Sequence, residues 1–358
     1  MSPLLHGLKA DGPRLATLSP PAAMPDGEVE LRGSGLQGLG GAVLPQVTVG
    51  DVPVYLALSR PRRAVIRIPE GAISGDVVLQ VGDGAGHTGA SNPLDLRVAV
   101  PMAEGLHPVA NPAVDADGNV YATVSGARGQ AVPVSIYAIA RDFQVRPFVR
   151  DLLNATGLAF GADGYLYVSS RAEGTVYRIS PAGAMSAYAE GMGVATGIAF
   201  DRDGNLYVGD RSGTIFKVGP EKEPGVDRGI FVYATLEPSI AAYHLAFNDE
   251  GTLFVTGPTT SSNQSVYAID RTGHTSVYYQ GLGRAQGLAL DVAGNLYVAA
   301  SLRGQRGIVK ITPAREASLA VSGNDLVGLA FLEDGCAALA TKDALYHVAL
   351  DIEGRTLV

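Results

Sequence analysis

Apolar and polar residues alternate with a period of two over short runs along most of this chain. Side chains of a strand point alternately to two faces, so the pattern predicts half-buried β-strands joined by tight turns. Runs of helix formers at 3.6-residue spacing are missing. In the first hundred residues the predicted strands begin at Arg14-Leu-Ala-Thr-Leu-Ser-Pro and Glu28-Val-Glu-Leu-Arg-Gly-Ser-Gly. Val47-Thr-Val-Gly-Asp, Ala64-Val-Ile-Arg-Ile-Pro, Gly75-Asp-Val-Val-Leu-Gln-Val and Pro93-Leu-Asp-Leu-Arg-Val follow. Short alternating strands with regular turn signals argue for a sandwich over residues 13–98, after a tail of residues 1–12.

From about residue 110 the pattern becomes a repeat. Gly157-Leu-Ala-Phe-Gly-Ala-Asp-Gly-Tyr-Leu-Tyr-Val and Gly197-Ile-Ala-Phe-Asp-Arg-Asp-Gly-Asn-Leu-Tyr-Val carry it most clearly. Asn111-Pro-Ala-Val-Asp-Ala-Asp-Gly-Asn-Val-Tyr-Ala, the stretches starting at His244 and Gly287, and a weaker one at Gly328 complete the set. The turn glycines are Gly118, Gly164, Gly204, Gly251, Gly294 and Gly335, about 40–47 residues apart. An inner strand ends at an Asp-Gly-type hairpin, a Leu-Tyr-Val strand returns, and two further strands complete each unit. Four antiparallel strands at this period are the mark of a propeller blade, and six units predict six blades over residues 99–358. Leu96 to Gly105 resemble a fourth strand and are expected to close the ring on the last unit, with Arg355-Thr-Leu-Val as the competing segment.

The repeat resembles the NHL-type and gluconolactonase-like six-bladed propellers. The first module resembles an IPT/TIG domain through its Ser-Pro opener, Arg32-Gly-Ser-Gly-Leu, Val47-Thr-Val-Gly-Asp, Ile68-Pro-Glu-Gly and Ser91-Asn-Pro. The resemblances imply an all-β chain, an N-terminal immunoglobulin-like (IPT/TIG) sandwich plus a six-bladed β-propeller. They also imply that the sandwich acts as a spacer or protein-contact module.

Composition narrows the chemistry. A net charge of −8 argues against nucleic acid as a general partner, and Arg60-Pro-Arg-Arg reads as a solvated loop. No apolar run reaches the ~20 residues of a membrane span, and Met1 to Ala10 lack the apolar core of a signal peptide, so a cytoplasmic location is expected. The single cysteine, Cys336, excludes internal disulfides and thiolate clusters, and its apolar context predicts a buried, inert thiol. Gly33-Ser-Gly-Leu-Gln-Gly matches a dinucleotide fingerprint in letters only, because no helix follows it. Asp115-Ala-Asp-Gly-Asn and Asp201-Arg-Asp-Gly-Asn lack the sixth-position glycine and twelfth-position glutamate of a calcium loop, so they read as hairpins.

The gluconolactonase resemblance implies a divalent cation at the channel mouth, held by Glu, Asn and Asp side chains near the start of inner strands, where it would polarise a carbonyl or activate water. The corresponding positions hold Asn111, Thr156, Thr196, Tyr243-His244, Gln286 and Val327, with no carboxylate unless Glu104 or Asp325 swings in. No cofactor is therefore expected, with a calcium-like cation as the alternative. Loops on the same face carry Arg128, Arg171, Arg211, Arg303, Arg306 and Lys342, with Arg284 entering beside them. Guanidinium forks suit carboxylate and phosphate. The expected ligand site is Asn111, Arg128, Thr156, Arg171, Thr196, Arg211, His244, Gln286 and Arg303, taking an anionic small molecule or acidic peptide, with no catalytic residue assigned. The loop Thr256-Gly-Pro-Thr-Thr-Ser-Ser-Asn-Gln is expected to act as rim or lid. The competing reading pairs the arginines with carboxylates such as Glu173 and Asp210.

Overall fold

The computed structural model describes residues 12–37, 44–82, 88–127, 129–220 and 229–355. They form two compact units that divide after Ala99. The N-terminal unit contains Arg14–Ser19 (β1), Ala22–Ala23 (β2), Glu28–Ser34 (β3), Gln46–Val49 (β4), Val52–Arg60 (β5), Arg63–Arg67 (β6), Gly75–Gly82 (β7), Thr88–Ala90 (β8) and Leu94–Val98 (β9). One sheet runs β1-β3-β6-β5. The other runs β5-β4-β7, with β8 and β9 on the far edge of β7. Strand β5 serves both sheets, pairing β4 through Val52–Val54 and β6 from Tyr55 onward. Val29, Leu31, Ala64 and Ile66 from the first sheet meet Val47, Val49, Val77, Leu79 and Leu96 from the second in one buried core. The period-two alternation decides which residues these are, because it sends every second side chain inward.

The Arg60-Pro-Arg-Arg stretch is exposed, and its loop is a tight hairpin turn. Arg60 and Arg63 face each other across a two-residue hairpin. Its tip is fixed by Leu36 N–H donating to Pro61 O at 3.1 Å and Gly33 N–H donating to Arg62 O at 3.2 Å. Gly33 and Gly35 belong to the end of β3 and the turn after it; Gly38 lies outside the described residues.

The second unit is an all-β propeller. Val100–Glu104 (β10) opens it. Ala113–Val114 (β11), Val120–Thr123 (β12), Ile136–Ile139 (β13) and Val145–Val149 (β14) make one antiparallel sheet. Ala155–Phe160 (β15), Leu166–Ser170 (β16), Thr175–Ile179 (β17) and Met185–Ala189 (β18) make the next. Ala195–Phe200 (β19), Leu206–Asp210 (β20), Thr214–Val218 (β21) and Ile230–Thr235 (β22) follow. The same order of pairing continues through His244–Phe247 (β23), Leu253–Thr256 (β24), Gln264–Ile269 (β25) and Thr275–Gly283 (β26). It recurs in Leu288–Leu290 (β27), Leu296–Leu302 (β28), Gln305–Ile311 (β29) and Ala317–Ser322 (β30). These two runs are joined where the end of β26 pairs β28.

Leu326–Phe331 (β31), Cys336–Thr341 (β32) and Ala344–Ala349 (β33) form the last sheet, and its outer strand is β10. The run from Leu96 to Gly105 is therefore split at Ala99: β9 stays in the first unit, and Val100–Glu104 pairs the last sheet of the second. Of the competing segment Arg355-Thr-Leu-Val only Arg355 is described, and residues 356–358 lie outside the described residues. Arg355 N–H donates to Leu290 O, and Gly354 bridges Asp291. Cys336 also departs from expectation. It is half-buried, and burial together with Asp334 and Asp351 pushes its thiol upward.

A repeated carboxylate device explains the Asp-Gly-Asn signature. Asp201 Oδ1 accepts from the N–H groups of Asp203 and Asn205 at 3.0 and 2.9 Å. Its Oδ2 accepts from the Asn205 side chain at 2.8 Å and the Tyr207 hydroxyl at 3.0 Å. Asp115 does the same with Asn119 and Tyr121, and Asp291 with Asn295 and Tyr297. In the second sheet the role moves two residues along, to Asp163 with Tyr165 and Tyr167. Each tyrosine ring then meets the next sheet edge-on: Tyr121–Phe160, Tyr167–Phe200, Tyr207–Phe247 and Tyr297–Phe331 stand 4.7–5.2 Å apart. Burial, with the adjacent carboxylate, pushes these phenols well above the ordinary tyrosine range, so they stay donors.

Deleting the Asp201 carboxylate strands a buried hydroxyl and two turn amides. Asp201→Ala is expected to cost about 2–3 kcal/mol, whereas exposed Asp203→Ala stays within about 0.5 kcal/mol. Scanning calorimetry of the propeller transition in both variants checks this.

Candidate functional site

The inner strands β11, β15, β19, β23, β27 and β31 contact one another in sequence order. Asn111 closes the circle: its Nδ2 donates to Leu288 O at 2.7 Å, and its Oδ1 accepts from Leu329 N–H at 3.2 Å. Bulges fall at the same point of three inner strands, around Thr156-Gly157, Thr196-Gly197 and Val327. Close approach explains the glycines that follow. A Cβ on Gly197 would stand 2.1 Å from Tyr243 O, and one on Gly287 would stand 2.1 Å from Asn111 Oδ1.

The structure thus brings Asn111, Thr156, Thr196, His244, Gln286 and Val327 around one axis, but turns most of their polar atoms to the ring itself. The Thr156 hydroxyl donates to Asn154 O at 2.9 Å. The Thr196 hydroxyl donates to Gly209 O at 2.7 Å and accepts from Tyr243 N–H at 3.1 Å. Gln286 Nε2 donates to Leu326 O at 3.1 Å, and Val327 O accepts from Gly287 N–H. Ser169 donates to Thr196 O, and Thr256 to Gln286 O at 2.5 Å. Sequence reasoning passed over these last two hydroxyls, which sit directly after the Leu-Tyr-Val and Leu-Phe-Val strands.

The imidazole of His244 is buried. Burial lowers its pKa to about 3, so it is neutral at ordinary pH. Unfolded chains bind the proton near pH 6.5 while the fold resists it, so stability falls as pH drops below about 6.5. His347, also lowered by burial, adds in the same direction. His244→Leu is expected to flatten the pH dependence of the melting temperature between pH 7 and 4 by up to one proton's linkage, about 1.4 kcal/mol per pH unit. An unchanged slope would contradict a buried neutral imidazole.

The implied divalent cation can be tested on these donors. A hard cation needs several oxygens, some charged. The ring offers amides and hydroxyls already bonded to carbonyls. Asp325 is held by Lys342 at 2.6 Å, and Glu104 lies on the outer strand β10. Among the described residues no group of three His, Cys, Asp or Glu is arranged around a point. The ring does not fit the metal.

The arginines divide into two groups. Arg171 Nη2 donates to Gly126 O at 2.9 Å, and Arg211 Nη2 donates to Ile240 O at 3.1 Å, so both fasten their loop to a neighbouring one. Neither uses Glu173 or Asp210 in these bonds; those carboxylates accept from Tyr177 and from Val194 N–H and Ser212. Buried Asn154 adds to the first staple, donating to Gly126 O and Ala127 O and accepting from Gly129 N–H. Its φ of +48° is a conformation asparagine tolerates, and that was its sequence signal. The loop after Thr256 is also pinned: Gln264 Nε2 donates to Thr259 O and Ser261 O, and Pro258 O accepts from Ser239 and Ile240. Arg128 lies outside the described residues.

The second group is different. Arg284, Arg303 and Arg306 are exposed, and their side chains make no hydrogen bond or ion pair among the described residues. Gly283 pairs with Ser301, and Ser301 with Arg306, while Arg303-Gly304 turns between β28 and β29. The three arginines therefore sit on adjoining backbone, Arg284 just after β26, Arg303 in the hairpin turn and Arg306 in β29. Arg284 and Arg303 hold φ values of +48° and +51°, left-handed backbone where arginine is uncommon. Between residues 281 and 308 the single carboxylate is Asp291, committed to the hairpin at the opposite end of β28.

Comparison with known proteins adds the fold. The family model "Strictosidine synthase-like, N-terminal" matches residues 197–218. No curated protein matches. An X-ray structure provisionally assigned as a gluconolactonase aligns with a TM-score of 0.58 at 18% identity, covering 72% of this chain and 93% of that one. A gluconolactonase from Xanthomonas campestris gives 0.57 at 15% identity, covering 71% and 90%. An auxiliary nutrient binding protein from Bacteroides ovatus gives 0.52 at 14% identity, covering 95% and 98%. What these share with the chain is the propeller fold.

Proposed function

We propose that the chain is a non-catalytic binding protein whose propeller captures an anionic small molecule or acidic peptide through Arg284, Arg303 and Arg306. This reading takes each four-strand run as one blade of a six-bladed ring and takes these arginines to stand on its channel face. The N-terminal unit is read as an immunoglobulin-like, IPT/TIG-type contact module, a reading that rests on its sequence motifs and its two facing sheets. The observation that carries the function is a set of three exposed arginines whose side chains have no partner among the described residues. Left-handed non-glycine residues cost of order 1 kcal/mol. At Arg303 the two-residue β28–β29 hairpin turn, which calls for positive φ at both Arg303 and Gly304, accounts for that conformation, so the proposal rests on the unengaged guanidinium groups, which suit a carboxylate or phosphate. A nutrient binding protein with a similar fold over 95% of this chain is consistent with binding as the task.

The alternative, a metal-dependent gluconolactonase-like hydrolase or lyase with a degenerate site, has the fold in its favour and the donor set of the inner ring against it. The test separates function from stability. Arg284→Gly/Arg303→Gly relieves left-handed strain, so its melting temperature is expected to equal or exceed that of the parent. Its affinity for citrate and inorganic phosphate, measured by titration calorimetry, is expected to fall at least tenfold. Equal anion binding by parent and variant, or none by either, would defeat the proposal.

A further inference from the structure

The outward face of the β1-β3-β6-β5 sheet carries a charge arrangement that the sheet itself does not need. Arg32 stands opposite Arg63, and Arg63 opposite Arg60, so three arginines form one row across three strands. Arg14, opposite Ser34, continues the same end of the sheet, and Arg62 sits at the hairpin tip. Like charges directly opposite each other on a sheet are destabilising. Against these five cations the row has one carboxylate, Glu30. Arg32 Nε donates to its Oε1 at 2.5 Å and Arg63 Nε to its Oε2 at 2.7 Å. Partial burial pushes the Glu30 carboxyl up, but the two arginines outweigh it and hold the group below its ordinary range. Both contacts use Nε, which leaves the terminal nitrogens of both guanidinium groups without another bond among the described residues.

Beside the row, the face turns apolar. Val65 and Leu58 are paired in register and half-buried, and Tyr55, opposite Arg67, is 64% exposed. Arg67 itself is balanced by Glu28 at 2.9 Å. Arginine around an exposed tyrosine is the composition of protein-recognition surfaces.

We infer that this face docks a protein partner through a carboxylate-rich segment that also offers an apolar side chain to Tyr55. The inference rests on reading the N-terminal unit as a contact module, and is independent of the anion site on the propeller. Charge complementarity selects the partner. A second copy presenting the same face would set arginines against arginines, and a nucleic acid would meet Glu28, Glu30 and an apolar patch where phosphates need cations.

The full chain is titrated by fluorescence anisotropy with a labelled glutamate peptide bearing a central phenylalanine, and with a thymidine oligonucleotide of matching charge. The reversal variant Arg14→Glu/Arg60→Glu/Arg62→Glu removes no carboxylate pairing and is expected to fold as the parent does. Peptide affinity is expected to fall at least tenfold in that variant, several-fold in Tyr55→Ala, and to persist in Arg284→Gly/Arg303→Gly. Loss confined to the propeller variant would overturn the inference while leaving the anion site intact. Oligonucleotide binding tighter than the peptide and lost on reversal would replace the partner by a nucleic acid. Absence of peptide binding to the parent would also overturn it, as would parent self-association in sedimentation that the reversal abolishes.

Discussion

A carboxylate at the tip of an inner hairpin organises this propeller. Asp115, Asp163, Asp201 and Asp291 each accept from turn amides and from a tyrosine hydroxyl of the returning strand. One charged group therefore fixes the turn, the register of the first two strands and the tilt of the aromatic ring. That ring packs edge-on against a phenylalanine of the next inner strand, so local geometry is passed from sheet to sheet. A basic side chain on the third strand completes several of these units: Arg178 pairs Asp163 at 2.8 Å and covers Tyr165, while Lys217 and Lys310 lie over Tyr207 and Tyr297.

The fourth and last inner hairpins show what happens where the device is weakened. Asn248 replaces the aspartate and bonds only the turn amide of Thr252, and Phe254 replaces the tyrosine. There Asp249 instead pairs Arg202 of the preceding hairpin and Arg355 of the C-terminal segment. In the last sheet Arg141 of the first sheet reaches Glu333 at 2.7 Å. Ion pairs between neighbouring hairpins take over where the carboxylate–phenol bond is lost.

Crowding at the axis decides how the ring can be used. Inner strands approach until only glycine fits at Gly197 and Gly287, and amide and hydroxyl side chains there are spent on carbonyls of adjoining strands. Buried polar groups must find partners, and the nearest ones are in the ring. Polar side chains without a partner among the described residues lie further out, at Arg284 after β26 and at Arg303 and Arg306 around the β28–β29 hairpin. Arg171 and Arg211 are held by neighbouring loops, whereas the side chains of Arg284, Arg303 and Arg306 have no such bond among the described residues.

Much of this was legible in the letters. The repeat at Asp-Gly-Asn and Leu-Tyr-Val announced the four-strand unit, because a hairpin carboxylate and a period-two strand are local properties. The alternation in Glu28–Ser34 and Arg63–Arg67 likewise named the buried faces of the first unit. The ring positions, too, could be read from the repeat, since equivalent letters fold to equivalent places. What the letters could not say is which polar groups remain available. Thr196 and Arg303 look equally fit for a ligand in sequence, yet one side chain bonds residues 13 and 47 positions away and the other bonds nothing among the described residues. Hydrogen-bond satisfaction depends on groups distant in the chain and adjacent in space, and only the closed tertiary structure decides it.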